Sequence, residues 1–310
     1  MGGGGGCRRP LPDGRRGRPH PVRGPLRPGG EPGDPGELGK RGEPGGAREP
    51  GGRPVSAGRS PRPEAAGAVT GVVLAGGRGT RLAPLTDRTS KQLLSVGGRP
   101  LITRVVDQLV RAGVLDVLVV IDDRHAGEFL RVLRDGRDLG LRSLGYVWQP
   151  PSGAGMAAAL GRAEHLLRTD RFLVACGDVL IDAPLGPAVR AFAAQPDGAL
   201  VVATRTPDTA GYTPLSVADG LVTALGDKDP DRHAPGWMDL GCYLYHRDAF
   251  DVARTLRPSP RGEVEIWDLN RHYARAGTLR YVEVKGWWCD VGTSPEVYRR
   301  ADERYRVSSG

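Results

Sequence analysis

A glycine-rich segment that follows an apolar run is the part of the sequence best suited to bind a charged ligand. The apolar run covers residues 69–74 and suits a buried strand. Glycines lack side chains and therefore let backbone N–H groups approach an anion closely. The predicted ligand is a phosphate group. The residues expected to contact it in this segment are Leu74, Gly76, Gly77, Gly79 and Thr80.

Two cations stand at fixed offsets from this segment. Arg81 follows it directly, and Lys91 comes ten residues after Arg81. Positive side chains at two separate positions suit a triphosphate, whose negative charge must be neutralised along its length. A glycine-rich surface turn with solvated charges is the alternative for the glycines alone, but it does not explain the whole pattern.

Two other glycine-rich signatures do not match the segment. A P-loop requires Lys followed by Ser or Thr directly after its last glycine, whereas Thr80 and Arg81 follow Gly79 here. A dinucleotide-binding fingerprint requires a third glycine where Leu82 stands. It also requires an acidic residue about twenty positions further on, and the nearest candidate, Asp107, lies within a predicted helix.

Two aspartates follow apolar runs and precede possible turns. Asp178 comes after residues 172–176 and Gly177, and Asp290 comes after residues 287–289. Ligands of open α/β sheets bind beyond the carboxyl ends of the strands, so both carboxylates are candidates for the site. Two carboxylates that face a triphosphate supply the oxygen ligands that Mg²⁺ requires. We therefore expect Asp178 and Asp290 to hold Mg²⁺; a helix N-cap or a solvated strand end is the alternative for Asp178.

These motifs resemble the sugar-1-phosphate nucleotidyltransferases, in which a Gly-Gly-x-Gly-Thr-Arg-Leu loop is followed, ten residues after its Arg, by a Lys. Within that family, residues 90–94 (Ser-Lys-Gln-Leu-Leu) are most similar to the glucose-1-phosphate thymidylyltransferases. The resemblance covers residues 69–305 and assigns the metal to Asp178 and Asp290. It further implies catalytic roles for Arg81, Lys91, Asp178 and Lys228, and nucleotide contacts by Arg81, Lys91 and Gln92.

The resemblance also implies a pair of groups that read the base of the nucleotide. Gln149 would direct its side-chain amide, and Gly155 its backbone N–H, at the edge of a pyrimidine. The glycine stands six residues after the Gln, whereas the thymidylyltransferase pattern has five, so the loop between them has one extra residue. An ordinary strand-end amide is the alternative for Gln149 alone.

The sugar-phosphate half of the family pattern is present but altered. Residues 227–229 read Asp-Lys-Asp in place of Glu-Lys-Pro, so Lys228 supplies a cation while the shorter Asp227 reaches sugar hydroxyls less easily. Arg261 lies in a segment, 258–266, that is typical of thymidylyltransferases, and it is expected to contact the sugar phosphate. Solvated surface charges are the alternative for Lys228 and Arg261 taken alone.

Two further positions of the expected sugar pocket depart from the family. Asp239 replaces an apolar residue, and Gly211 precedes Tyr212 where the family has an aromatic residue followed by glycine. A desolvated carboxylate beside a sugar favours a specific hydroxyl or amine, because an unpaired buried charge is costly. The sugar need not be glucose.

The resemblance implies that dTMP passes from dTTP to glucose 1-phosphate and that pyrophosphate is released. A uridylyl-, guanylyl- or cytidylyltransferase acting on another sugar 1-phosphate is one alternative. A catalytically silent homologue that binds nucleotide sugars is another, but it would be expected to lose at least one of four residues that this chain retains: Arg81, Lys91, Asp178 and Asp290. The expected partners are a nucleoside triphosphate and a sugar 1-phosphate.

Strand-like and helix-like patterns alternate after residue 68, which predicts an α/β fold: a Rossmann-like, mostly parallel sheet with helices on both faces. Strands are predicted at 72–74, 114–121, 144–149, 172–176, 200–204, 221–225 and 242–245. Helices are predicted around 102–110, at 156–167, 264–276 and 295–306. One domain of residues 68–310 accounts for all of them.

Residues 1–67 have a different composition, with 20 Gly, 13 Pro and no Phe, Trp or Tyr. Such a segment cannot bury a core, so we expect a disordered tail that need not belong to the native protein. It holds 13 of the basic and 7 of the acidic residues, hence +6 of the net charge of +8, and the high pI therefore says little about the domain. Without aromatic residues to stack on bases, nucleic acid is not an expected partner.

The sequence has no apolar run long enough for a membrane span and no signal-peptide pattern, so a cytoplasmic location without membrane contact is expected. The four cysteines are widely spaced and suggest neither zinc nor disulfides. The chain stops soon after the last predicted helix, so a further helical allosteric contact is not expected. Homo-oligomer formation stays open.

Overall fold

The structure, a computed structural model, describes residues 68–77, 79–150 and 155–307. The segment predicted as a tail, residues 1–67, lies outside the described residues. In the described part the strands are β1 (Val69–Leu74), β2 (Ser95–Val96), β3 (Arg99–Pro100), β4 (Asp116–Ile121), β5 (Ser143–Trp148), β6 (Arg171–Cys176), β7 (Val179–Ile181), β8 (Ala199–Thr206), β9 (Pro214–Ala218), β10 (Leu221–Leu225), β11 (Gly236–His246), β12 (Leu279–Glu283) and β13 (Trp288–Asp290). The α-helices are α1 (Leu101–Arg111), α2 (Ala126–Leu133), α3 (Met156–Gly161), α4 (Gly186–Ala193), α5 (Ala249–Thr255), α6 (Ile266–Arg275) and α7 (Pro295–Val307).

Nine of these strands form the central sheet, in the order β5-β4-β1-β6-β11-β8-β12-β10-β9. The first four are mutually parallel. Beyond β6 the sheet is mixed, because β11 runs antiparallel to β6 and β8, while β12 is parallel to β8. Antiparallel neighbours need no helical crossover, and no helix interrupts the chain between β8 and β11. The α/β fold is therefore confirmed, with its parallel part concentrated in the N-terminal half of the sheet.

Helices cover both faces of the sheet, and each face has its own apolar core. β1 is buried on both faces, since Val72 packs into one core and Val73 into the other. The core that contains Val73 also receives α1, α2 and α4, and the core that contains Val72 receives α5 and α6. The predicted apolar face of α1 is confirmed, with Ile102, Val105, Val106 and Leu109 buried.

Several boundaries differ from the sequence-based predictions. The helix predicted at 156–167 ends at Gly161 and is followed by a separate 3₁₀ turn, Glu164–Leu166. The strand predicted from 114 begins at Asp116, because the backbone N–H of Val114 still donates to the Leu109 carbonyl at the end of α1. Helices α2, α4 and α5 were not predicted; all three are eight residues or shorter, and their apolar periodicity is correspondingly brief.

Within the described ranges, no helix is both long enough and apolar enough to cross a membrane. Cys176, Cys242 and Cys289 are free thiols, and the last two are buried. They behave as small apolar side chains within the fold.

Candidate active site

The glycine-rich loop begins where β1 ends, between the carboxyl ends of β4 and β6. The backbone N–H of Gly177 donates to the Leu74 carbonyl at 2.9 Å, and that of Ala75 donates to the Val120 carbonyl at 2.8 Å. These bonds fix the start of the loop against both neighbouring strands. Gly79 has φ 62°, in the left-handed region that favours glycine, and leads into the 3₁₀ turn Thr80–Leu82.

A cavity of about 450 Å³ lies against this loop. Its size is within the range of small-molecule sites. Seven residues predicted to contact the nucleotide line it together: Leu74, Gly76, Gly77, Gly79, Thr80, Gln149 and Gly155. The other lining residues carry no motif and were not predicted as site residues: Pro150, Met156, Ala158, Ala159, Arg162 and Glu263.

Two glycines of this cavity are required by close approach. A Cβ atom on Gly76 would overlap the side-chain amide of Gln149, so the loop lies directly against that amide. Gly155 has φ 89°, and a Cβ atom there would lie 2.6 Å from the backbone nitrogen of Val264. Residues 151–154, where the longer spacing between Gln149 and Gly155 falls, lie outside the described residues.

Gln92, predicted to contact the nucleotide, is a buried side chain beside the loop. It is 1% exposed, and its amide oxygen accepts a hydrogen bond from the Ser90 hydroxyl at 2.6 Å. Its contact with a nucleotide stays a prediction. Gln92 packs beside Gly177 and stabilises the turn that carries Lys91.

Three of the predicted charged residues converge. Lys91 forms an ion pair with the Asp178 carboxylate. A Cβ atom on Gly292 would lie 3.1 Å from Lys91 Nζ and 3.3 Å from Asp290 Oδ1, and it would overlap Asp178 Oδ2. The two carboxylates and the ammonium group therefore surround one glycine, and a side chain at position 292 would fill the space between them.

Pairing of two short strands brings the aspartates together. β7 follows Asp178 and runs antiparallel to β13, with Asp290 opposite Val179. The backbone N–H of Val291 also donates to the Asp178 carbonyl at 2.9 Å. The convergence of the two carboxylates is therefore a property of the backbone.

Burial and the proximity of two negative charges make the arrangement of Asp178 and Asp290 electrostatically unfavourable. Burial, and then the charge of Asp178, raise the pKa of Asp290 to about 6, while Lys91 and Lys228 oppose the rise. Burial alone would lower the pKa of Lys91, but Asp178 and Asp290 raise it above its usual value. Lys91 therefore remains an ammonium ion.

Two adjacent carboxylates with incomplete charge compensation fit a divalent cation. Within the described residues, no group of three or more His, Cys, Asp or Glu side chains is arranged to hold a metal. A cation bound by Asp178 and Asp290 would therefore complete its ligand shell with oxygens of water or substrate.

The two cations predicted for the sugar phosphate also lie together, over the ring of Trp267. Lys228 Nζ is 4.9 Å, and the guanidinium carbon of Arg261 5.4 Å, from the ring centroid. Arg261 donates to the buried Glu265 carboxylate at 2.6 Å and forms a second ion pair with Glu263 at 3.1 Å. Trp267 was not among the predicted site residues, since a lone tryptophan at the start of a helix carries no motif.

The remaining predicted sugar-binding residues have partners within the protein. Asp227 pairs with Arg271 of α6 and has a side chain that is 87% exposed. Asp239 is partly buried, and its Oδ1 atom accepts from the Tyr243 hydroxyl at 2.6 Å and from the Gly241 N–H at 3.0 Å. These two hydrogen bonds both involve Oδ1 of Asp239.

Gly211 lies on an exposed turn with φ 75°. The next residue, Tyr212, packs edge-on against Trp288 with ring centroids 5.5 Å apart. Burial, and then Asp290, raise the pKa of Tyr212, whereas Arg81 lowers it. Tyr212 is therefore within electrostatic reach of both Asp290 and Arg81. It places the Gly211 turn beside the carboxylate cluster, which consists of Asp178 and Asp290.

Comparison with known proteins gives a consistent result. A sequence model of the family described as "Nucleotidyl transferase" matches residues 70–305. A glucose-1-phosphate thymidylyltransferase of Mycolicibacterium smegmatis is 37% identical over 238 residues, which cover 75% of this chain and 81% of that protein. The enzyme of the same name from Neisseria meningitidis is 34% identical over 236 residues, covering 74% of this chain and 81% of that protein.

A solved structure shares the fold. It is a Bacillus anthracis protein, provisionally named a glucose-1-phosphate thymidylyltransferase and crystallised with sucrose, which superposes with a TM-score of 0.71. The two sequences are 33% identical, and the match covers 77% of this chain and 96% of that one.

Proposed function

Because the chain belongs to the nucleotidyl transferase family, we propose that it transfers dTMP from dTTP to glucose 1-phosphate and releases pyrophosphate. The class of reaction, nucleotidyl transfer to a sugar 1-phosphate, follows from the family and from relatives named for it. The observation that carries the proposal is the convergence of Lys91, Asp178 and Asp290 around Gly292, next to a cavity lined by the glycine-rich loop.

The nucleoside triphosphate occupies the cavity beside the glycine-rich loop. Gln149 and the backbone N–H of Gly155 meet the edge of the base, and loop N–H groups meet the phosphates. Arg81 holds the β- and γ-phosphates, which leave as pyrophosphate. Lys91 holds the α-phosphate, whose equatorial oxygens gain charge as the phosphorus becomes five-coordinate.

The acceptor enters from the opposite side, with its phosphate against Lys228 and Arg261. A phosphate oxygen of the sugar 1-phosphate attacks the α-phosphorus in line. The new P–O bond forms as the bond from the α-phosphorus to the bridging oxygen of pyrophosphate breaks. The nucleophile is already an anion, so no general base is needed, and catalysis consists of positioning and charge neutralisation.

Asp178 and Asp290 would hold the divalent cation, and Mg²⁺ is the ion that best matches two carboxylates shared with phosphate oxygens. Bound there, Mg²⁺ would neutralise phosphate charge and orient the triphosphate. The protein's own part is to hold the two carboxylates beside the Lys91 ammonium group, which pairs with Asp178.

A matrix of the common nucleoside triphosphates against several sugar 1-phosphates, scored by pyrophosphate release with Mg²⁺, tests the proposal. The highest kcat/KM is expected for dTTP with glucose 1-phosphate. A higher value with UTP, GTP or CTP, or with another sugar, would replace the assigned substrates and keep the reaction class.

The six-residue spacing from Gln149 to Gly155 would explain a preference for a base other than thymine. Asp239 would explain a preference for a sugar other than glucose. Turnover with no pair would instead support a silent homologue.

A further inference from the structure

We propose that Trp267 is a positioning residue that aligns Lys228 and Arg261 as a single phosphate-binding unit for the acceptor substrate. The inference rests on the proposed function, because it assigns the phosphate of the sugar 1-phosphate to these two cations. It adds a residue that is neither charged nor part of any motif in the sequence.

The two cations reach Trp267 from different parts of the chain. Lys228 follows β10, Arg261 precedes α6, and Trp267 is the second residue of α6. Both cations lie over the same ring, at 4.9 Å and 5.4 Å from its centroid. Trp267 is therefore their common contact.

Among the described residues, Arg261 has a second anchor and Lys228 does not. Glu265 is 2% exposed and accepts hydrogen bonds from Arg261 at 2.6 Å and from the Ser259 hydroxyl at 3.0 Å. Within the described part of the chain, no carboxylate lies within the 4.0 Å ion-pair distance of Lys228. The Trp267 ring is therefore the main restraint on the ammonium group, which is otherwise carried on a flexible four-carbon stem.

Physical chemistry explains why an aromatic ring suits this position. A carboxylate placed against Lys228 would neutralise it and repel the incoming phosphate, and Arg261 is already paired with Glu263 and Glu265. The negative face of an indole attracts both cations without cancelling their charge. Lys228 also acts electrostatically on Asp290, so the unit borders the carboxylate cluster where the α-phosphate is expected.

The acceptor phosphate is charged in both the ground state and the transition state. The platform, meaning the Trp267 ring with Lys228 and Arg261 over it, should therefore contribute mainly to substrate binding. The test is steady-state kinetics with saturating dTTP and varied glucose 1-phosphate for Trp267→Leu and Trp267→Phe. We expect Trp267→Leu to raise KM for glucose 1-phosphate roughly tenfold, as two lost cation–π contacts predict, with kcat within about twofold. KM for dTTP should stay unchanged, and Trp267→Phe should recover most of the loss.

Trp237→Leu is the matched control, because the guanidinium carbon of Arg205 lies over the Trp237 ring, 5.1 Å from its centroid. This cation–π contact involves neither Lys228 nor Arg261. This control should leave KM for glucose 1-phosphate unchanged. Melting temperatures of all variants separate loss of fold from loss of binding.

An unchanged KM in Trp267→Leu, an equal rise in KM for dTTP, or no recovery in Trp267→Phe would overturn the platform. Lys228→Met and Arg261→Met separate this failure from failure of the proposed function. If they raise KM and Trp267→Leu does not, only the platform is wrong; if they too leave KM unchanged, the proposed phosphate site is wrong.

Equilibrium titration with glucose 1-phosphate gives the same comparison through Kd and does not depend on turnover. A roughly tenfold weaker Kd in Trp267→Leu would support the platform. Failure of the wild-type protein to bind glucose 1-phosphate would overturn both proposals.

Discussion

At the scale of single residues, the site places two carboxylates close together, which lowers the stability of the folded protein. Asp178 and Asp290 border the same glycine, and burial together with like charge raises the pKa of Asp290 to about 6. Only Lys91 forms an ion pair with either of them among the described residues. Groups kept at an electrostatic cost in this way are typical of functional sites.

Asp178→Asn and Asp290→Asn are each expected to lower turnover by on the order of 10²-fold or more, because each removes a proposed ligand of Mg²⁺. The fold should survive, since the β7–β13 pairing that positions these residues is made by backbone atoms. Pyrophosphate release with saturating Mg²⁺ and thermal melting measure the two effects. Asp219→Asn, on an exposed turn, is the control for loss of one negative charge. Near-normal turnover in either site variant would refute the metal assignment.

Lys91→Ala is expected to lower kcat by roughly 10²-fold, with a smaller change in KM for the triphosphate, because Lys91 meets charge that develops on the α-phosphate only in the transition state. Lys285→Ala, which removes a largely exposed lysine, is the control. Steady-state kinetics with varied dTTP separates the two parameters. A raised KM with unchanged kcat would show that Lys91 only anchors the ground state.

At the scale of elements, turns at the carboxyl ends of strands build the site. The glycine-rich loop follows β1, Asp178 follows β6, and Gln149 follows β5, so three connections of the parallel half contribute. α3 closes the cavity from the side, and its position depends on the close approach of Gly155 to the backbone of Val264. The backbone N–H of Ala157, in α3, also donates to the carbonyl of Val264 at 3.0 Å.

Gly155→Ala is expected to destabilise the protein by roughly 2 kcal/mol and to raise KM for dTTP, because a Cβ atom at this positive φ would also overlap the Val264 backbone. Gly161→Ala, at the other end of α3, is the matched control, since a Cβ atom there meets no neighbour within 4 Å. Denaturant unfolding and dTTP kinetics of the two variants test the difference. Equal stability of both variants would contradict the packing argument.

At the scale of the whole molecule, the described sheet and both of its apolar cores are built from residues 69 onward. The parallel half carries the predicted nucleotide-binding groups. The mixed half contributes β10 and the loop that bears Lys228. The proposed transfer therefore draws on residues from both halves of one sheet.

A chain that begins at Ala66 is expected to keep its turnover and a melting temperature within roughly 2 °C of the full-length value. The reason is compositional, because residues 1–67 contain no Phe, Trp or Tyr that could anchor them on a core. Calorimetry and pyrophosphate release compare the two proteins. A clearly lower melting temperature or lost turnover would show that the segment contributes to the folded domain.

The sequence by itself determined the α/β class, the glycine-rich loop after the first strand and the charged residues that follow the strands. These are local signals: a glycine spacing, an apolar run before Asp178, and cations at fixed offsets such as Lys91. They also sufficed for the resemblance to sugar-1-phosphate nucleotidyltransferases.

Only the tertiary structure decided which residues meet. Asp178 and Asp290 converge because β7 pairs with β13, and Trp267 lies under Lys228 and Arg261 because α6 packs beside the end of β10. Gln92, which the sequence predicts to contact the nucleotide, is buried beside Gly177 in the turn that carries Lys91. Contacts between residues so far apart in the chain depend on strand register and loop closure, which a local sequence pattern does not encode.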